Sequence, residues 1–356
     1  MIGRYPPCMA WYAGASNNPT VDVIMMDAVA ATEAAAEGLA QPLSLDTVPN
    51  LQQLYPEFRV LGDPYTKIYY VPEVVAYNAD TVKTPPAWHD LWEPKYKGRL
   101  AVYNLDGAVG MMFFLIVNQI AGGTVENADP GFAAFRALKP DVLTYPTQHA
   151  QLSQLFTQGD IVIAPWVSDR ATSLGRSGAP IAWAIPKEGS VMAEGTLAIA
   201  KGTKNLDLAL KYVNFAIDAD VQANNARLFF IAPVNQQAKL DDATRSAVPN
   251  GPEALKAIRR PDWKAINQQG TMDRSLESRD SRIARLYVWG RRSSLRSWAA
   301  PVIPLSPGGS PSAERLRVPP LARAPATRRY GIITFASKSA AAPVQNACSR
   351  SVIAGP

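Results

Sequence analysis

With 356 residues, 47% of them apolar, the chain can hold one large or two ordinary domains around a sizeable core. Its net charge of +6 is uneven: residues 281–356 carry twelve Arg and Lys against one acid, Glu314, whereas residues 1–280 carry 24 basic and 29 acidic side chains. The basic balance thus belongs to the end of the chain and makes a nucleic-acid reading of the pI unsafe, while two distant cysteines (Cys8, Cys348) make no disulfide framework and two histidines (His89, His149) supply zinc chemistry and His-based catalysis poorly.

The opening segment, Met1 to Asn18, has one Arg but no continuous apolar run, so no signal peptide is visible in it. No later run is long enough to span a membrane. From Thr20 the pattern becomes regular. VDVIMM (Val21–Met26) predicts a strand, and AVAATEAAAEGLAQPL a helix closed by Gly38 and Pro42. IYYVPEVVAYN (Ile68–Asn78) predicts a strand, with Pro72 marking an edge or a bulge. RLAVY (Arg99–Tyr103) is a further strand, leading through NLDGAVG into the helix MMFFLIVNQIAGG, and GFAAFRALKP is a second helix. AQLSQLFTQGD predicts a helix ending at Gly159, before the buried strand IVIAPW (Ile161–Trp166). LAIA (Leu197–Ala200) precedes the helices of LDLALKYVNFAI and ADVQANNARLFF. Strands alternating with helices at this spacing predict α/β units and mostly parallel sheets. Near Ser281 the text changes: nine prolines fall in residues 281–356 and no period is sustained. Such composition predicts a disordered basic extension, of the kind an out-of-frame or fused translation product would have, with a basic nucleic-acid- or membrane-binding tail as the alternative.

Between the second and third strands stands WHDLWEPKYKGRLAV (Trp88–Val102). The pattern W-x-D-L-W-x-P-x-Y-K-G followed by a strand resembles the periplasmic solute-binding proteins of bacterial ABC importers, and within them the spermidine/putrescine-binding group. VDVIMMDA, APWVSDRA, WAIPKEGSVMAEGTLAIAKGTKN, KYVNFAIDADVQA, APVN and PNGPEALKAIRRPDW agree with that family in order and spacing, over roughly residues 17–270. The resemblance implies an α/β, two-lobed periplasmic-binding-protein (type II) fold with an interlobe ligand cleft. It assigns residues 1–97 and 194–233 to lobe 1, residues 98–193 and 234–280 to lobe 2, and residues 281–356 to the tail. Hinge crossings are expected near Lys97–Gly98, Ser190–Glu194 and Pro233. The aromatic turn itself is expected to be packing: Trp88, Leu91, Trp92 and Tyr96 anchor it on the first lobe, Pro94 stops it, and Gly98 permits a sharp entry into the strand. Met1–Asn18 stands where the family has a signal peptide, a first strand and a first helix, so the first βα unit is expected to be missing. The end departs from the family from about Gly270, which suggests a truncated or frameshifted product.

The resemblance further implies capture of a small cationic solute, most simply a polyamine, by lobe closure in the periplasm, and delivery to membrane permease subunits, with no cofactor and no enzymatic step. Polyamine sites need carboxylates for the ammonium groups and aromatic faces for the methylenes. The cleft segments offer Asp27, Tyr70, Glu73, Asp106, Trp166, Asp169 and Glu194. Asp27 ends the first strand, where α/β ligands sit. Trp166 and Asp169 follow IVIAP with a spacing like that of putrescine binders; the other use for them is core packing and capping of the next helix. Asp106 is equally a helix N-cap. Tyr70 falls where the family often has Trp, Glu73 where it has a small residue, and Ile231 where an aromatic is expected. Glu194 is one residue off the family's acidic position, held here by Gly195. Tyr69–Tyr70 as a ferric-ion pair is disfavoured, since adjacent strand residues face opposite ways. Cys8 is the sole candidate nucleophile for the thiamine-degrading enzymes that share the fold.

Overall fold

The computed structural model describes residues 19, 21–59, 62–105 and 107–269. Cys8, Asp106 and the basic tail, with what was expected of them, lie outside the described residues. So does the opening segment Met1–Asn18.

β1 (Val23–Asp27) runs into α1 (Ala28–Ala36), which stops short of the predicted Pro42. The long β2 (Tyr65–Asn78) begins three residues before its predicted start. After the two short turns Trp88–Trp92 and Pro94–Tyr96 come β3 (Leu100–Ala101), α2 (Ala108–Ile120), α3 (Asp129–Leu138), β4 (Val142–Thr144) and α4 (His149–Gln158). Then follow β5 (Ile163–Val167), α5 (Ser168–Arg176), β6 (Ile181–Ala184) and β7 (Ser190–Ile199). The chain continues through α6 (Leu206–Ala216), α7 (Ala219–Phe229), α8 (Asp242–Ala247), α9 (Gly251–Ala257), β8 (Ile258–Arg259) and α10 (Trp263–Gln269).

Among the described residues the strands form one path, β1-β7-β2-β5-β3-β4, with β6 on β2 and β8 on β7. The path is two sheets that share a strand. Residues Tyr65–Pro72 of β2 pair with β7, whereas Glu73–Tyr77 pair with β5 and Val75–Asn78 with β6. The hand-over falls at Pro72–Glu73, where proline has no N–H to donate to a ladder. Pro72 is therefore neither at an edge nor in a bulge; the register shift lies at Lys67/Tyr69. Next to the hand-over the Ser190 hydroxyl donates to the Glu73 carbonyl, tying the two crossing strands together.

The expectation of mostly parallel sheets is overturned. β1–β7, β2–β7, β2–β5 and β2–β6 are antiparallel, and only the β3–β4, β3–β5 and β7–β8 pairs are parallel. The βαβ crossovers of the second sheet give the β3–β4 and β3–β5 pairs, but β2, which passes from one sheet to the other, runs against every strand it pairs with. Most of β7 was invisible in the sequence because Glu194 and Gly195 are poor strand formers; pairing on both sides overrides that preference.

α1 lies close on the first sheet because its buried face is alanine: Ala30, Ala31 and Ala34 pack with Met26, Ala198 and Ala200. A larger core joins Val23, Tyr70, Leu197 and Val213 to Val234, Val248 and Ile258. The segment after Pro233, expected in lobe 2, thus packs into the core of the first sheet, and α10 packs on α1. The second sheet is covered by an aromatic layer in which Phe113 and Phe114 of α2 meet Phe132 and Phe135 of α3.

The tryptophan-bearing turn joins this layer, not the first sheet. Trp88 contacts Phe113 and donates to the Gly189 carbonyl at 2.8 Å, and Trp92 donates to the Ala134 carbonyl at 3.2 Å. Its packing role stands, but its platform is α2 and α3. Gly98 has φ +69°, the left-handed conformation that the entry into β3 requires.

Candidate functional site

Asp27, the last residue of β1, occupies the N-cap position of α1, yet its carboxylate makes no capping bond. Burial pushes it up to about 6. In register, Asp27 stands opposite Gly195, and Gly195 stands opposite Tyr69 on the other side. A Cβ on Gly195 would lie 2.2 Å from Tyr69 Cε1, so the tyrosine ring lies across β7 where only glycine leaves room. The charges of Asp27 and of Asp169 both act on the Tyr69 hydroxyl, which burial already holds far above its ordinary value. This brings the end of β1 and the start of α5 to one place.

Asp169 is the second residue of α5, two positions after the Val167 N-cap and in the first turn of the helix. It is buried; Oδ1 has no partner, and Oδ2 lies 3.3 Å from Arg170 Nε. Burial pushes this carboxyl up to about 6 against the pull of Arg170. The neighbouring Ser168 hydroxyl is also buried without a partner. Glu73, opposite Val167 at the hand-over, has no exposed surface and neither carboxyl oxygen has a hydrogen-bond partner. Burial alone holds it well above the usual carboxylate range.

Trp166 behaves differently from the expectation that its indole faces a solute. It has no exposed surface, stacks on Phe156 at 5.9 Å and donates its N–H to His149 Nδ1 at 2.9 Å. An indole N–H can only donate, so His149 carries its proton on Nε2. Burial, with Arg170 nearby, lowers His149 to about 4 and keeps it neutral. Tyr103, just beyond β3, places its hydroxyl 2.8 Å from the same Nδ1. The charges of Glu73, Arg170 and Asp169 all act on that hydroxyl.

Two other expected residues face elsewhere. Tyr70 stacks on Phe58 at 5.2 Å and donates to the Pro249 carbonyl at 3.0 Å, inside the core of the first sheet. Tyr69 and Tyr70 do point opposite ways, so no tyrosine pair forms, and among the described residues no three His, Cys, Asp or Glu come together as a metal site. Glu194 is buried but engaged: Oε1 accepts from Arg260 Nε at 2.9 Å, and Oε2 lies 3.4 Å from Lys67 Nζ, close enough for attraction without hydrogen-bond alignment. Arg260 also donates to the Glu57 carbonyl and covers the Phe58 ring.

The charges of Asp27, Asp169 and Arg170 thus act on Tyr69, and those of Glu73, Asp169 and Arg170 on Tyr103. Tyr69, Tyr103, His149 and Arg170 were missed in the sequence. Strand parity between Tyr69 and Tyr70, read with Gly195, is the signal that would have found Tyr69.

The family pattern described as bacterial extracellular solute-binding protein matches residues 12–252. The spermidine/putrescine-binding periplasmic protein of Salmonella typhimurium is 26% identical over 196 residues, 52% of this chain and 55% of that protein. The gamma-aminobutyric acid-binding protein of Pseudomonas aeruginosa is 26% identical over 204 residues, 53% of this chain and 56% of that protein. The chain spans about half the length of these curated relatives. An ABC transporter structure from Clostridium perfringens superposes with a TM-score of 0.65 at 23% identity, covering 75% of this chain and 85% of that one. The fold is the two-lobed α/β arrangement of type II periplasmic solute-binding proteins. With sheet, hinge strands and family pattern in agreement, the chain belongs to the bacterial extracellular solute-binding proteins.

Proposed function

We propose that the protein is the solute-capturing component of an ABC importer, working in the periplasm, and that its solute is a small cation of the polyamine class. On this reading the lobes are residues 21–72 with 194–269, and residues 73–193. The lobes rotate about β2 and β7, and the closed form is the one a permease subunit receives. The observation that carries the reading is a set of buried carboxyls along the crossing strands: Glu73 is wholly and Asp169 partly without hydrogen-bond partners, Asp27 makes no capping bond, and Arg170 lies beside Asp169. Buried unpaired carboxylates are costly unless a cation completes them. Tyr69 and Tyr103 supply aromatic faces for a methylene stem.

Arg170, exposed beside Asp169, favours a second reading: a solute with both an ammonium and a carboxylate, as the Pseudomonas relative's name suggests for that protein. Calorimetric titration with putrescine, spermidine and 4-aminobutyrate separates the two. The polyamine reading expects the diamine or triamine to bind most tightly, with affinity falling at high salt. Tight binding of 4-aminobutyrate alone replaces it with the second reading.

A further inference from the structure

We propose that His149 is a positioning residue that sets the polarity of the solute site: it holds the Tyr103 hydroxyl proton turned inward, so that Tyr103 can only accept from a solute and favours an amine over a carboxylate. The inference rests on the cationic-solute reading above and deepens it by naming what excludes the carboxylate-bearing alternative.

His149, the first residue of α4, meets two groups from other elements at one atom. Trp166, on β5, brings its indole N–H to 2.9 Å from Nδ1, and Tyr103, just beyond β3, brings its hydroxyl to 2.8 Å from the same atom. An indole N–H cannot accept, so Nδ1 carries a lone pair and no proton. Two lone pairs facing each other at 2.8 Å would repel, so the Tyr103 O–H donates to Nδ1. The Trp166 N–H bears on the Tyr103 oxygen as well, so each bond of this triangle fixes the others. The charged and titratable groups that face His149 are Tyr103 and Arg170, and burial with Arg170 nearby keeps the ring neutral.

Tyr103 has thereby committed its one proton. It is only 5% exposed, and among the described residues His149 and Trp166 are the side chains that bond to its hydroxyl. What the oxygen has left is lone-pair density, lying in the field of Glu73, Asp169 and Arg170. An ammonium N–H can donate to it. A carboxylate only accepts, so it would meet the oxygen lone pair to lone pair unless the proton turned outward and broke the triangle. An apolar side chain at position 149 would leave the hydroxyl free to make that turn.

Full-length protein and its variants are titrated calorimetrically with putrescine and with 4-aminobutyrate, with folding checked by thermal melt. The quantity read is the ratio of the two affinities, because lost packing lowers both and leaves their ratio unchanged. The wild type is expected to prefer putrescine, and His149→Leu to narrow that preference by about tenfold. His149→Asn, whose amide oxygen stands where Nδ1 does, should restore it. An unchanged ratio in His149→Leu, or equal narrowing in both variants, overturns the role of His149 and leaves the cationic reading intact. A wild type that prefers 4-aminobutyrate, or binds neither solute, overturns the cationic reading and this inference with it. Should His149→Leu fail to fold, Tyr103→Phe decides, since it keeps the ring and loses only the hydroxyl: an unchanged ratio there overturns the proposal.

Discussion

The molecule buries two glutamates in its crossing strands and treats them in opposite ways. Glu194, on β7, sits between Lys67 and Arg260 and has its charge matched within the protein. Glu73, on β2, has neither partner nor water-exposed surface. Burial is common to both, so burial alone says nothing about function. What distinguishes them is whether the fold itself completes the charge. Glu194 is accounted for by the fold, whereas Glu73 is not.

The largest effect should come from breaking the completed one. Glu194→Gln leaves the buried Lys67 ammonium without its counter-charge, and the loss of such a partner costs about 3–5 kcal/mol. At this chain length that lowers the melting temperature by about 10 °C, which a thermal denaturation curve reads directly. A shift within about 2 °C would place Glu194 among dispensable surface charges and dissolve the contrast.

On the uncompleted side, Asp169→Asn should weaken binding of the best cationic solute by about a hundredfold, while the unliganded melting temperature stays put or rises. Calorimetry of the variant against putrescine checks this; wild-type affinity removes Asp169 from the site.

The pH dependence follows from the same three carboxyls. A carboxyl whose folded-state pKa is raised binds its proton more tightly folded than unfolded. Its stability contribution is therefore complete below the unfolded value and is lost as pH rises through the folded one. For Asp27 and Asp169, raised to about 6, that loss falls between roughly pH 4 and 6. Glu73, which burial raises well above its ordinary value, works in the same sense. His149, lowered to about 4, works in the opposite sense, since its folded form resists protonation. Unliganded melting temperature, corrected with a His149→Gln variant, should decline from pH 4 towards neutrality. Glu73→Gln should make that decline shallower; an unchanged profile would mean that Glu73 finds a partner in solution.

The smallest effects separate neighbours. Tyr70→Phe removes the bond to the Pro249 carbonyl, worth about 1 kcal/mol, and should cost a few degrees of melting temperature with solute affinity intact. Tyr69→Phe should leave the melt alone and alter affinity. The reverse pattern would exchange their faces.

Much of this was legible in advance because it rests on local pattern. The Trp88–Gly98 motif, the apolar strand before Trp166 and the acid ending β1 declared their elements and the family. The misreadings share one cause, which is that partner choice is tertiary. Nothing local to Tyr69–Tyr70 says which ring meets the core; the glycine that decides it is over a hundred residues away, at position 195. Trp166 looked like a ligand aromatic because strand-end position is shared by cleft and core. Only the stacking with Phe156 and the bond to His149 assign it to the latter. Likewise, Glu194 could not be told from Glu73 without Arg260, which arrives from far along the chain.

The hand-over at Pro72–Glu73 also has a kinematic meaning. In a rotation, the atoms nearest the axis travel least. The two sheets share the backbone of β2 there, so on the proposed two-lobe reading a rotation of one sheet against the other pivots close to Glu73, while Asp27, at the end of β1, and Asp169, beyond β5, move relative to each other. A residue at that point, Glu73 among them, keeps its place whichever way the two sheets turn.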